Sequence, residues 1–389
     1  MVQYVTFSLR VFSDWFLRNL KTQHRNNSSP IHVMFCLVDH FEPGTGNVGI
    51  TAERGRMQRL LSKYPNIADR HKDSYGNRPK RTWFFPPHYH RYGNLKDLSL
   101  LCESGYGEIE LHLHHGKSRP DTSENLENTI LQCLEEYGYF GVFGSEDGRR
   151  RYGFIHGDWA LNNSLNGKYC GVNDEIRILS RTGCYADFTF PALNRANPNR
   201  MNCIFYADDT EVKPKSFDKN FLVSRLGKRE GELMVIQGPL FPTLMWSRIK
   251  GFGIVPIPIC GDAINGRPPV TARRIDSWVK TGICVQGKRD WIVVKTHTHG
   301  ATDADEVLGE NMDNIFDYIE HRYNDGKNYL VHYVTARELY NIIKAIEAGE
   351  SGTNPEQYRN YRIAAPQYDS STNIYSGSAR LRALLAKGC

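Results

Sequence analysis

The chain has 389 residues, long for one compact domain but within reach of a single α/β barrel, with 40% hydrophobic and 24% charged residues and a net charge of +6. The charges are scattered, and the densest basic run, Gly148-Arg149-Arg150-Arg151, reads as a solvated turn. A nucleic-acid surface needs a basic stripe with aromatic platforms or a reading helix, so none is expected, and no apolar stretch approaches the length of a membrane span.

Residues 1–30 open with an amphipathic helix that sets Val11, Trp15 and Leu20 on one side; Arg10, Asp14 and Arg18 interrupt any apolar core, unlike a signal peptide. From residue 31 to 350 short apolar runs alternate with stretches of helical spacing. The spacing predicts strands over 32–38, 81–85, 108–114, 152–156, 186–190, 202–206, 233–237, 254–259, 291–297 and 329–333. It predicts helices over 52–64, 124–137, 173–182, 272–281, 307–323 and 336–348, the last opened by a capping box at Thr335-Ala336-Arg337-Glu338. Such alternation argues for parallel β/α units. The Pro- and Gly-rich stretch 256–269 reads as a loop leaving a strand, and the polar tail 351–389 as a wrap on the domain or a loosely ordered end.

Nine cysteines are spread over the chain with no CxxC pair, which argues against a zinc ribbon or a thioredoxin-like site. Several lie inside apolar runs, where free cysteine behaves as a small hydrophobe. A reducing, cytoplasmic setting is the expectation.

Chemistry concentrates where apolar strands end. Met34-Phe35-Cys36-Leu37-Val38 runs into Asp39-His40-Phe41-Glu42. Glu108-Ile109-Glu110-Leu111 runs into His112-Leu113-His114-His115, and Trp291-Ile292-Val293-Val294-Lys295 into Thr296-His297-Thr298-His299. The C-terminal ends of parallel strands form the catalytic rim of β/α folds, so these three clusters should meet in space. Residues two apart on a strand share a face, which pairs His112 with His114 and His297 with His299. Two imidazoles and a further Asp, Glu or His make the ligand set of a catalytic zinc site with one position open for water. His115 competes with His114, since a turn could swing it inward. His24, His32, His71 and His321 are read as surface or hydrogen-bonded residues.

The ordered set of motifs resembles the polysaccharide deacetylase (carbohydrate esterase) superfamily over about residues 31–334. The resemblance implies a distorted seven- or eight-stranded β/α barrel that removes N- or O-acetyl groups from a carbohydrate with a divalent metal. Asp39 matches the family's catalytic base; its second Asp is absent, so His40 or Glu42 would replace it as ligand. The lead-in Gly107-Glu108-Ile109-Glu110-Leu111-His112 matches the second motif, but Gly116 stands four residues on, which shifts the second histidine ligand to His114 or His115. Thr82-Trp83-Phe84-Phe85-Pro86 resembles the family's second strand, His156 stands where an Arg would orient the base, and Gly183-Cys184-Tyr185-Ala186-Asp187 resembles a further motif ending in Asp187. His297 or His299 matches the general acid. Trp83, Tyr89, Trp159 and Tyr206, near rim positions, would stack on sugar faces, each with core packing as its rival use. Imidazole-rich ligation suits zinc, with nickel, cobalt or iron as alternatives. Two other functions fit the same residues: a related metal-dependent amide or ester hydrolase on a non-polymeric substrate, and a non-catalytic glycan-binding barrel.

Overall fold

The computed structural model describes residues 2–22, 29–210, 212–227, 230–249, 253–266, 268–350 and 352–369. In chain order it has α1 (Val2–Thr22), β1 (Ile31–His40), α2 (Ile50–Ala68), β2 (Arg81–Phe85), α3 (Asn94–Glu103), β3 (Gly107–Leu113), α4 (Ser123–Gly138), β4 (Gly144–Glu146) and β5 (Arg149–His156). There follow α5 (Glu175–Arg181), β6 (Cys184–Asp187), β7 (Ile204–Ala207), β8 (Phe221–Val223), β9 (Leu233–Ile236), β10 (Phe241–Ile249), β11 (Gly253–Cys260) and α6 (Ala272–Thr281). The chain continues through β12 (Trp291–Thr298), α7 (Ala304–Val307), α8 (Glu310–Tyr323), β13 (Tyr329–Tyr333) and α9 (Ala336–Ala348).

Eleven strands form one mixed, mostly parallel sheet in the order β12-β1-β2-β3-β5-β6-β9-β7-β8, with β13 beside β1 and β4 beside β5. β1 pairs with β12 along its length, while β13 takes the first half of its other edge and β2 the second. β7 runs antiparallel to β8 and β9, and β10-β11 is a separate antiparallel ribbon. No ladder among the described residues joins the β12 end of the path to the β8 end, so the sheet is not closed and the expected barrel is not reproduced as a closed cylinder.

The near-continuous apolar sequence of β1 follows from burial on both faces. Val33, Phe35 and Leu37 belong to a core shared with α2, α3, α4, α5, α6 and α8; this is the outer face. Met34, Cys36 and Val38 belong to a second core with Leu339, Ile342, Ile343 and Ile346 of α9; this is the inner face. α9 begins with the predicted capping box, Thr335 accepting from Glu338 N and the Glu338 side chain closing back on Thr335 N, a device worth about 1 kcal/mol.

Several expectations are revised. Residues 256–260 extend β11 rather than leaving it, because each proline can sit in a two-stranded ribbon whose outer edge needs no donor. Arg149–151 do not make a turn: Asp147 and Gly148, both at positive φ, turn the chain, and the arginines begin β5 against β4. α3 was not anticipated, although Leu95, Leu98 and Cys102 are buried at helical spacing; nor were the short β4 and β8, or β10. The described part of the tail is tied down. Arg337 and Asn341 of α9 donate to the Ile363 carbonyl, and Ala364 pairs with Ser145. Residues 370–389 lie outside the described set, as do His24 and Cys389. None of the eight described cysteines is in a disulfide, and all but the half-buried Cys284 are buried. No helix among the described residues is long and apolar enough to cross a membrane.

Candidate functional site

The strand ends of β1, β3 and β12 do bring their histidines together. The His40 ring centroid lies 4.8 Å from His299, 5.2 Å from His112 and 5.4 Å from His297, and His112 lies 4.7 Å from His114. Their hydrogen bonds decide which nitrogen each offers. His112 Nδ1 sits 2.8 Å from the Ile155 carbonyl, which can only accept, so Nδ1 carries the proton. His112 Nε2 is then a bare lone pair, fully buried and without a hydrogen-bond partner. His114 is set likewise: Nδ1 is 3.0 Å from Asp158, and Nε2 lies 2.8 Å from Glu42 Oε1. A side chain at position 157 would run into the His114 ring, so Gly157 is what lets the ring seat beside Asp158.

Electrostatics follow from this crowding. Burial and the neighbouring His114 push His112 down to about 3, and burial with three surrounding imidazoles holds His40 well below its ordinary value. Burial and His297 lower His299 to about 4. Burial opposes the charge on His114, but the Asp158 and Glu42 carboxylates on its two nitrogens outweigh it and raise its pKa. Burial likewise opposes the Glu42 anion, yet the imidazoles around it bring it to about 2. Among the described residues Glu42, His112 and His114 form a group whose ligand atoms all lie within 4.8 Å of one another, a set that suits a divalent cation taking the place of the proton between His114 Nε2 and Glu42. This N₂O set leaves coordination positions for water, and His40 stands next to it.

His297 is oriented from behind. Its Nδ1 is 2.8 Å from Asp262 Oδ1, while Asp262 Oδ2 is 3.0 Å from Lys295 Nζ. Burial works against the Asp262 charge, but His297 and Lys295 lower its pKa overall. The sequence reading of 256–269 as a loop gives Asp262 no role. The signal was there: an apolar strand, Ile257-Pro258-Ile259-Cys260, runs into a carboxylate, the pattern used at the other rims.

Other expected site residues sit elsewhere. Asp39 follows the alternation of β1 onto the outer face, opposite to His40. It is fully buried, 3.1 Å from Arg81 Nη1, and accepts from Gly300 N–H at 2.6 Å. Burial raises its pKa to about 6 against the pull of Arg81. His156 does not orient it; Arg81, unremarked in the sequence, occupies that position. His115 and His156, their rings tilted at 4.6 Å, lie in a second, outward cluster with Cys170 and Glu175, the other group among the described residues that could hold a metal ion. Trp83 is fully buried, its ring edge-on to Tyr64 at 5.7 Å, and offers no stacking face. Tyr206 is buried against α9, donating to Glu347 and accepting from Lys344. Asp187 is fully buried, hydrogen-bonded to Thr189 and raised by burial to about 7. The buried Tyr89 and the half-buried Trp159 remain near the rim: Tyr89 meets His88 edge-on at 4.1 Å, His88 lies 6.4 Å from His114, and Trp159 adjoins Asp158.

A cavity of about 1010 Å³ opens away from these histidines, lined by Arg10, Arg18, Arg200, Arg225 and Arg289. No protein-family model matches the chain and no curated protein matches it, so the functional reading is carried by the geometry of the rim.

Proposed function

We propose that the inner rim is the active site of a metal-dependent hydrolase that removes acetyl groups from a carbohydrate, with Glu42, His112 and His114 holding the ion. The observation that carries this reading is the buried Nε2 of His112, whose tautomer is set by the Ile155 carbonyl and whose lone pair faces the Glu42 carboxylate and His114. Zinc is the natural occupant of such a set. When bound, the ion would polarise the acyl oxygen and acidify a water.

The chain's own residues do the rest. His40 and His299, kept neutral by burial and by the neighbouring imidazoles, can accept the proton from the attacking water. His297, its Nδ1–H held by Asp262, lies beside His40 and His299 and would receive at Nε2 the proton they take from the water, then pass it to the departing alcohol or amine. Asp39 has no part in proton transfer; through the Gly300 N–H it steadies the turn that carries His299. The distorted barrel belongs to the same proposal, as does a reducing, cytoplasmic setting, which the absence of disulfides among the described cysteines supports.

The burial of Trp83, Tyr89 and Tyr206 favours a second reading, a non-polymeric amide or ester substrate, because it removes three of the four stacking platforms that a glycan chain would use. Acetate release from acetylated oligosaccharides, set beside hydrolysis of small acetamides and acetate esters by the zinc-loaded protein, separates the two. His112→Ala should cut turnover more than the about 10–100-fold typical of changes one step removed from a metal. Wild-type turnover by a metal-free His112→Ala protein would end the proposal.

A further inference from the structure

The outward cluster has a composition and a geometry of its own. His115 follows β3, His156 ends β5, Cys170 lies in the connecting loop and Glu175 begins α5. Cys170, His156 and Glu175 are fully buried. His115 Nε2 is 3.1 Å and His156 Nε2 3.5 Å from Glu175 Oε1, and Cys170 Sγ is 3.4 Å from Glu175 Oε2. A tetrahedral zinc with bonds of about 2.0–2.3 Å separates its ligand atoms by about 3.3–3.8 Å; the other three ligand atoms already stand near that spacing from a Glu175 oxygen, and all four lie within 4.8 Å of one another.

Each imidazole is also held by its far nitrogen. His156 Nδ1 donates to the Gly157 carbonyl at 2.6 Å, leaving Nε2 buried and without a hydrogen-bond partner. His115 Nδ1 faces Asp121 Oδ2 at 3.0 Å. A carbonyl or carboxylate behind each metal-binding histidine is the arrangement that sets ring orientation in zinc proteins. Two neutral imidazoles, one thiolate and one carboxylate would neutralise a divalent ion, so the burial carries no net charge.

We propose that His115, His156, Cys170 and Glu175 form a second metal site, closed by four protein ligands, that binds zinc to hold the rim rather than to react. Its task is visible in the loop it would anchor. Between Gly157 and Asp174, six non-glycine residues (Asp158, Trp159, Asn162, Asn163, Asn166 and Tyr169) adopt positive φ, and such conformations persist where the surroundings over-determine them. A side chain at position 116 would strike the Cys170 backbone, so the strand β3 exit and the loop are already pressed together. Asp158, which orients His114, lies on this same loop. The competing account is a metal-free ion pair in which His115 is protonated between Glu175 and Asp121 with a neutral Cys170 beside it.

Cobalt(II) separates the two accounts, because thiolate ligation gives an intense sulfur-to-metal charge-transfer band in the near ultraviolet that nitrogen and oxygen ligands lack. The full chain, stripped of metal under reducing conditions, would be titrated with cobalt(II). The band should form in the wild type, persist in His112→Ala, which disables only the inner site, and vanish in Cys170→Ser. Zinc content should fall from about two ions per chain to about one in either variant. Absence of the band from both the wild type and His112→Ala overturns the proposal even if Cys170→Ser does not fold, and so does a band that survives in Cys170→Ser. Failure of hydrolysis with the band intact would count against the inner-site reading alone.

Discussion

Consecutive residues of this chain are sent to opposite sides of one rim, and the two sides treat the same side-chain types differently. On the inner side His40, His112, His114, His297 and His299 converge with Glu42, and His112 Nε2 is left without a hydrogen-bond partner. On the outer side Asp39 is closed off by Arg81 and Gly300, and His115 and His156 by Glu175 and Cys170. Identity does not separate the two regions, since both are built of histidines and carboxylates. What separates them is company: the inner imidazoles face mainly one another, whereas the outer groups are matched to opposite charges or a thiol, and that difference divides reactive geometry from supporting geometry.

The sharpest way to break the contrast is Asp39→Asn. A catalytic base would lose turnover and keep stability. The outer-face placement predicts the reverse: Arg81 is left as an unpaired buried charge, at a cost of about 3–5 kcal/mol, while turnover per folded, metal-loaded chain falls less than about tenfold, or 1.4 kcal/mol. Urea unfolding and acetate release on the same preparation read both. Abolished turnover with an unchanged unfolding midpoint would return Asp39 to the mechanism.

Asp262→Asn tests the inner face from behind. The substitution leaves His297 without the carboxylate that fixes its tautomer, and turnover should fall about 10–100-fold with metal content unchanged. Loss of the ion in that variant would instead make His297 a ligand.

The smallest effect is expected at the far end of β1, where His32 Nδ1 lies 2.9 Å from His332 Nε2 and His332 Nδ1 2.7 Å from Glu356. This histidine–carboxylate chain satisfies itself and should ignore chelators. Burial and then the His332 charge lower His32 to about 4, below the ordinary value near 6.5. The unfolded chain therefore binds a proton there first as the solution is acidified. Stability from this group is present above about pH 6.5 and is lost as the pH falls through the window down to about 4. His32→Asn should flatten that loss by something on the order of 1 kcal/mol, allowing for solvent screening. Parallel acid-unfolding curves for the variant and the wild type would count against it.

Much of this was legible in the chain. The apolar runs of β1, β2, β3, β12 and β13 and the periodic faces of α4, α6 and α9 announced themselves within a few residues of their ends, because strand and helix periods are local properties. The meeting of three histidine-bearing rims also followed, since parallel strands must end together. Asp262, Asp158 and Arg81 were not legible as partners. Each acts across long sequence separations on a residue whose orientation no local pattern records.

The sequence by itself determined the strands, the parallel β/α plan and the gathering of polar strand ends, because period and hydrophobic burial act over a few residues. Tertiary structure alone decided which side each end faces. Period-two alternation still governs Asp39 and His40 within β1, but which face holds the histidine cluster depends on what packs there; His114 and His115 lie past Leu113, where the alternation no longer binds, and the Asp158 and Glu175 carboxylates that draw them apart arrive from the segment after β5.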